Sequence, residues 1–322
     1  MRQLMKIACI FSLSAAFAAC GSDNDATDQV GDDATATSAA SLPPIVTNDL
    51  PGFFDCVREI GGVLVAAHRG GPHAGFPENA LETLQYGADY GIRVFEVDVA
   101  TSRDGVLFLL HDRSLGRTTT GQGSVADTDW SEIRDLQLVD NDGIVTGFSP
   151  PPLDVVLEWA VEAGVLLELD KKETTGWRSI IRAIDRADAR NNVLLITYSD
   201  EDASLVQRLA PDVMFTASAR GNRDIHKLEE QGIDRRRLVA WTGTRDEDPA
   251  AWDRLARENV EAAFGTLGRR GERLDDEYWA DGNPSEYREL AKNGVVLLAT
   301  DEPLRVAAAL SEDDRALNAC AG

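Results

Sequence analysis

The chain has 322 residues, 43% of them hydrophobic and 27% charged, a globular composition with length for one large domain or two small ones. A formal net charge of −23 excludes a nucleic-acid partner, since no basic footprint is available to neutralise phosphates. It equally excludes adhesion to an anionic membrane through a basic patch.

The N-terminus reads as an export signal over residues 1–19: Arg2 and Lys6, then an apolar stretch too short to span a bilayer, then small residues. Its end, Phe17-Ala18-Ala19-Cys20-Gly21, resembles a bacterial lipoprotein box, with Cys20 as the lipidated residue; ordinary cleavage after Ala18 is the rival. Residues 20–48 hold Ala, Thr, Ser and Asp with few large apolar groups, which predicts a disordered linker. The expectation is an exported protein whose only membrane contact is this lipid anchor, on the periplasmic side of a bacterial membrane. Gly21 after Cys20, where aspartate would signal inner-membrane retention, favours the outer membrane. Without lipid the protein is expected in the periplasm. In that oxidising compartment Cys56 and Cys320 are candidates for a disulfide, with two separate buried thiols as the alternative.

From residue 49 to 322 the chain reads as one domain. Apolar runs recur at 63–67, 94–98, 106–110, 165–170, 193–197, 213–216, 238–241, 262–264 and 295–299. Helical patterns at 80–90, 153–163, 177–187, 202–209 and 285–293 separate most of them, which predicts parallel strands with crossover helices. Nine runs are one too many for an eight-stranded barrel. The run at 106–110 is the odd one, because only Thr-Ser-Arg-Asp-Gly precedes it, too short for a parallel crossover. It is predicted to fold back as a hairpin, leaving a (β/α)₈ TIM barrel with a small insertion over residues 112–150.

Barrel active sites lie at the C-terminal ends of the strands, and the polar residues gather there. His68 and Arg69 follow the first strand, Glu96 and Asp98 end the second, the hairpin returns His111, and Glu168, Asp170 and Lys172 end the third parallel strand. Alternation along a strand puts Glu96 and Asp98 on one face, and Phe95, Val97 and Val99 on the other, so the acids are expected to face the barrel mouth. Acids crowded together in this way repel unless a cation compensates, and hard oxygen donors suit Mg²⁺ or Ca²⁺. Each pair read alone is as well explained by ion pairs with Arg69, Lys171 or Lys172. His68 and His111 titrate near neutrality and can share general acid and base work. Asp112 is expected to orient His111 or a backbone turn. His73 is expected in solvent and His226 has no assigned role. Arg69 and Lys172 add fixed positive charge suited to a phosphoryl group. Together these residues point to metal-assisted phosphodiester cleavage.

His68-Arg69-Gly70 with Pro77-Glu78-Asn79, Phe95–Val99, Asp104–Asp112, Leu167–Lys172 and Gly294–Pro303 resemble the glycerophosphodiester phosphodiesterase family, of the phospholipase C-like TIM-barrel superfamily. The resemblance covers nearly the whole barrel. It implies hydrolysis of a small-molecule glycerophosphodiester to sn-glycerol 3-phosphate and an alcohol, in phospholipid and glycerol metabolism, with one Ca²⁺ or Mg²⁺ bound. It further implies acid–base roles for His68 and His111, and phosphate or substrate contacts for Arg69, Lys172, Glu78 and Trp241. Glu96, Asp98 and Asp170 become ligands, with Glu168 as the alternative third. Trp241 and Phe264 are candidates for the substrate pocket or for barrel core. The chain departs from the family where Ala80 replaces a threonine after Glu78-Asn79 and where Asp170-x-Lys172 replaces Glu-x-Lys. The latter resembles the sphingomyelinase D group, which implies a cyclising phospholipase D-like lyase as a second activity. A binding lipoprotein without turnover is a third reading, and the full complement of site residues argues against it.

Overall fold

A computed structural model describes residues 43–310 and 317–321. The export signal, Cys20 and most of the linker lie outside the described residues. Among those described, no helix is long and apolar enough to cross a membrane.

The nine strands are β1 (Leu64–Ala67), β2 (Val94–Thr101), β3 (Leu107–Leu109), β4 (Leu166–Lys171), β5 (Val193–Ile196), β6 (Met214–Ser218), β7 (Leu238–Trp241), β8 (Glu261–Gly265) and β9 (Val295–Thr300). All but β3 pair parallel in the order β1-β9-β8-β7-β6-β5-β4-β2, and a β1–β2 pairing closes the ring. The eight-stranded TIM barrel read from the sequence is therefore the fold. β3 is the antiparallel extra strand: it joins β2 only at the upper end, Val99 opposite Leu109 through Thr101 opposite Leu107. β1 pairs with β2 only at Val94 and Phe95, so β3 takes over that edge where β1 stops.

The alternation of side chains builds two cores. Outward residues Phe95, Val97 and Val99 of β2 and Leu167 and Leu169 of β4 pack beneath helices such as Leu153–Ala163 and Trp177–Arg186. Inward residues Leu64, Val94, Leu166, Leu194, Met214 and Val239 fill the lower barrel. That lower layer is closed from below by α1 (Leu50–Glu59), whose Phe53, Phe54 and Val57 are buried against it. The helix begins with Asp49 accepting from the Gly52 amide and Pro51 in the first turn, both start signals. Arg58 on α1 also pairs with Glu261 at the foot of β8. Burial pushes the Glu261 carboxyl up to about 7 despite that partner.

Cys56 on α1 and Cys320 near the C-terminus form a disulfide across 264 residues of sequence, with Cα atoms 5.8 Å apart. The bond fastens the barrel's lower plug to the chain's end. Cys56→Ser is expected to lower unfolding stability by about 2–5 kcal/mol. Urea unfolding with and without reductant checks this: reduction should shift the wild-type midpoint and leave that of the variant in place.

Candidate active site

Two short segments set the mouth's geometry. His68-Arg69-Gly70 forms a tight turn after β1, with Arg69 at φ +52°. A left-handed arginine is uncommon and costs about 1–3 kcal/mol. Here the turn aims the Arg69 amide at Glu96 Oε2, 2.7 Å away. Gly71, at φ +80°, could not carry a side chain, because a Cβ would meet Pro303 at 2.7 Å. Asn79 is the second left-handed residue, at φ +59°. Its amide donates to the Arg69 carbonyl at 2.9 Å, while its side chain donates to Asp98 Oδ2 at 2.7 Å and accepts from the Asp98 amide at 2.9 Å. Asn79, whose role its motif alone does not disclose, locks the loop to β2.

Glu96 and Asp98 face inward from β2, and Glu168 and Asp170 stand opposite them in register on β4. Carboxylate oxygens of Glu96, Asp98 and Asp170 lie within 4.8 Å of one another, and all three residues are buried. Glu168 stands one inward position before Asp170 on β4, opposite Glu96, and is not part of that cluster. Burial pushes the Glu96 carboxyl well above the usual carboxylate range, and the charges of Asp98 and Asp170 push the same way. Burial alone lifts Glu168 to about 7. Asp98 moves down: burial opposes its charge, but Lys172 and then His111 outweigh it. The Lys172 ammonium pairs with Asp98 and lies 2.7 Å from Asp170 Oδ2. Tyr198 donates to the same Oδ2 at 2.8 Å. Asp170 Oδ1 is buried without a hydrogen-bond partner. Three convergent hard oxygen donors and one orphaned carboxylate oxygen fit a divalent cation such as Ca²⁺ or Mg²⁺.

The histidines flank this cluster, each tied through Nδ1 to a carboxylate. His68 Nδ1 lies 2.6 Å from Asp301 Oδ1, with Nε2 3.9 Å from Glu96 Oε2. Asp301 sits just past the end of β9 and is held by Arg273 at 3.0 Å and the Gly268 amide at 3.0 Å. Burial acts against its charge, but the hydrogen bond and charge of His68 prevail, and its carboxyl sits at about 2. His111 reaches the site because β3 runs antiparallel: the Leu110 amide donates to the Asp98 carbonyl, so the next residue enters at the level of the acids. His111 Nδ1 lies 2.7 Å from Asp112 Oδ1. Arg117 then grips Asp112 at 2.6 Å and Glu78 with two bonds of 2.8 Å, and Arg69 reaches Glu78 from the other side at 3.2 Å. Glu78, expected at the phosphate or substrate, thus has its oxygens occupied by two guanidinium groups. Burial works against its charge, yet these partners bring the carboxyl below its usual range.

The remaining sequence candidates separate. Trp241 is half-buried and lines a cavity of about 280 Å³ that also touches His68, Glu96, Glu168, Asp170 and Tyr198. A Cβ on Gly265 would come within 2.9 Å of the Trp241 ring, so that glycine makes room for the indole. Phe264 is fully buried against Trp252, ring centroids 5.4 Å apart, and belongs to the core. His73 corrects the solvent expectation: it is half-buried and stacked on Phe76 at 4.6 Å, beside Tyr86 at 4.7 Å. His226 lies on an exposed helix, 3.1 Å from Glu229. Asp301, Arg117, Asn79 and Tyr198 are the positioning groups that sequence reasoning left without a role.

Comparison with known proteins agrees with this geometry. Residues 68–214 match the model of the glycerophosphoryl diester phosphodiesterase family. A glycerophosphoryl diester phosphodiesterase structure from Parabacteroides distasonis superposes with a TM-score of 0.72 at 26% identity, covering 84% of this chain and 92% of that one. A phosphodiesterase from Oleispira antarctica, solved in complex with the product sn-glycerol-3-phosphate, shares the fold at 20% identity and a TM-score of 0.61, covering 78% of this chain and 98% of that one. A probable glycerophosphodiester phosphodiesterase 2 of Mycobacterium tuberculosis is 30% identical over 161 residues, 50% of this chain and 58% of its own length. The matched stretch thus spans under two thirds of that relative. The residues matched by the family model include His68, Arg69, Glu96, Asp98, His111, Asp170 and Lys172, which the barrel assembles at one mouth, so the chain is similar to the glycerophosphoryl diester phosphodiesterase family over residues 68–214 and shares its fold.

Proposed function

We propose that the protein hydrolyses glycerophosphodiesters to sn-glycerol 3-phosphate and an alcohol, with one divalent cation held by Glu96, Asp98 and Asp170. The observation that carries this is the pairing of two carboxylate-bound histidines with a three-acid cluster at one barrel mouth. A bound cation supplies fixed positive charge for the phosphoryl oxygens. The protein's own groups do the rest. Each Nδ1 is engaged by an aspartate, which leaves each Nε2 for proton transfer. Arg69 Nε is a buried donor without a hydrogen-bond partner, 3.9 Å from Asp98 Oδ2, and an anion beside the acids satisfies it. Lys172 stands at the same place with its ammonium raised above its ordinary value: burial lowers it, and Asp98 and Asp170 more than restore it.

In the first step the glycerol 2-hydroxyl oxygen attacks phosphorus and loses its proton to one histidine. The phosphorus–alcohol bond breaks, and the alcohol departs with a proton from the other. The cyclic phosphate is then opened by water with the two proton transfers reversed. Holding the hydroxyl beside phosphorus gives the step its entropic advantage. The Asp170-x-Lys172 spacing, closed by the 2.7 Å bond between those side chains, favours a second reading in which the reaction ends at the cyclic ester. Phosphorus NMR of glycerophosphodiester digests is expected to show glycerol 3-phosphate accumulating. A persistent cyclic signal establishes the lyase instead, and an unchanged diester removes both readings. Export and lipid anchoring through Cys20 remain part of this proposal on the sequence motif alone.

A further inference from the structure

Two cavities flank the acid cluster. One, of about 280 Å³, is touched by His68 and sinks inside the barrel to Glu168, with Thr197, Thr216 and Trp241 in its wall. The other, of about 420 Å³, is lined by His111, Asp112, Arg113, Ser114, Lys172 and Thr174 along the insertion and the end of β4. A diester has two arms, and the phosphoryl group between them belongs at the acids. Each arm therefore takes one cavity.

Glu168 is the unexplained group. It is 4% exposed, faces the first cavity and stands opposite Glu96 in register, outside the three-acid cluster; among the described residues no hydrogen bond or ion pair is made by its carboxyl. Its carboxyl opens on that cavity, where an incoming hydroxyl can reach it. Nothing in the mechanism above uses it. Thr197 spends its hydroxyl proton on the Thr216 carbonyl, 2.6 Å away, so its oxygen can accept but has no proton to offer Glu168. The cavity is thus a small polar socket in which, among the described residues, Glu168 is the one lining carboxyl outside the three-acid cluster.

We propose that Glu168 is the specificity-determining residue of this cavity, accepting a hydrogen bond from the terminal hydroxyl of a small polyol arm, glycerol in the present reading. The inference rests on the phosphodiesterase reading and deepens it. The enclosed cavity takes the invariant polyol, and the cavity past His111 takes the alcohol. Apolar Ile196, Leu267 and Ala299 cover the carbon backbone of the polyol. The 2-hydroxyl then lies beside His68, while Glu168 holds the far end.

The test compares two diesters of the same alcohol, one built on glycerol and one on propane-1,2-diol, which keeps the attacking 2-hydroxyl and lacks only the terminal one. Wild-type kcat/KM is expected to fall at least ~100-fold on the propanediol ester, as sites built to pair a hydroxyl reject the analogue without it. In Glu168→Ala the two substrates are expected to converge to within about tenfold, because the acceptor left stranded by the analogue is gone. Glu168→Gln, which keeps shape and a weaker acceptor, should fall between, and it carries the comparison if the alanine variant does not fold by near-UV circular dichroism. A wild-type enzyme indifferent to the terminal hydroxyl overturns the proposal, as does a preference that both variants retain. If wild type cleaves neither ester, the phosphodiesterase reading itself has failed, and this inference with it.

Discussion

His111→Ala is expected to reduce kcat/KM by about 10²–10⁴-fold on a diester of an ordinary alkyl alcohol, the usual weight of one acid–base group. The loss should shrink sharply when the leaving group is p-nitrophenol. The reason is positional. His111 fronts the cavity left for the alcohol, whereas His68 fronts the one that ends at Glu168. The histidine on the alcohol's side delivers the proton that an alkoxide needs and a nitrophenolate does not. His68→Ala should lose a comparable factor on both substrates, because the proton it removes belongs to the attacking hydroxyl. Asp301→Asn is expected to follow His68→Ala in pattern at smaller amplitude, since it leaves the ring in place without its 2.6 Å anchor. Steady-state kinetics on the two esters, with all three variants, read this directly. Rescue of His68→Ala by the better leaving group, and none of His111→Ala, would reverse the assignment of the two roles.

What the sequence discloses, and what it hides, follows from the range of the interactions. Period-two and helical patterns are local, so the strands were legible to within two residues at almost every end, and Leu238–Trp241 and Leu153–Ala163 were found outright. The short Thr-Ser-Arg-Asp-Gly stretch before the third apolar run sufficed to read β3 as a hairpin, and its antiparallel pairing is what carries His111 back to Asp98. α1 was missed because Pro51 and Gly52 lower its helical signal, while its purpose, plugging the lower barrel, depends on strands spread over the rest of the chain. The acids, histidines and lysine were legible because they cluster in short motifs at strand ends. Their partners were not. Asp301 meets His68 across 233 positions, and Arg117 meets Glu78 across 39, with no spacing rule to join them. Glu168 shows the converse limit. Beside Asp170 in an acidic pair it looked like a rival ligand, and only the placement of the side chains leaves it outside the cluster although it stands opposite Glu96.

Added Ca²⁺ or Mg²⁺ is expected to raise the melting temperature of chelator-treated protein, and to raise it more at pH 8 than at pH 5. Glu96 sets the sign. Its folded-state carboxyl lies well above the ordinary 4.5, from burial first and the Asp98 and Asp170 charges next. A raised acid contributes stability that is whole below its unfolded value and is lost as pH rises through the folded one. Glu168, at about 7, acts in the same direction. The cation-free protein should therefore weaken between pH 4.5 and neutrality and above. A bound cation favours the ionised ligands, so binding releases a proton and tightens with pH. At a hundred times the dissociation constant it contributes about 2.7 kcal/mol. Asp170→Asn removes charge from the cluster and leaves only Glu96 and Asp98, from a single strand, as acidic ligands, so it should abolish most of the cation's effect on melting as well as EDTA-sensitive turnover. Lys172→Met separates this from a general loss of site structure: it strips the ammonium from Asp98 and Asp170 without touching a ligand, and should sharpen the response to cation while activity falls. A melting temperature insensitive to either ion across this pH range, in a protein that still turns over in EDTA, would leave Asp98 and Asp170 as ion-pair partners of Lys172 and nothing more.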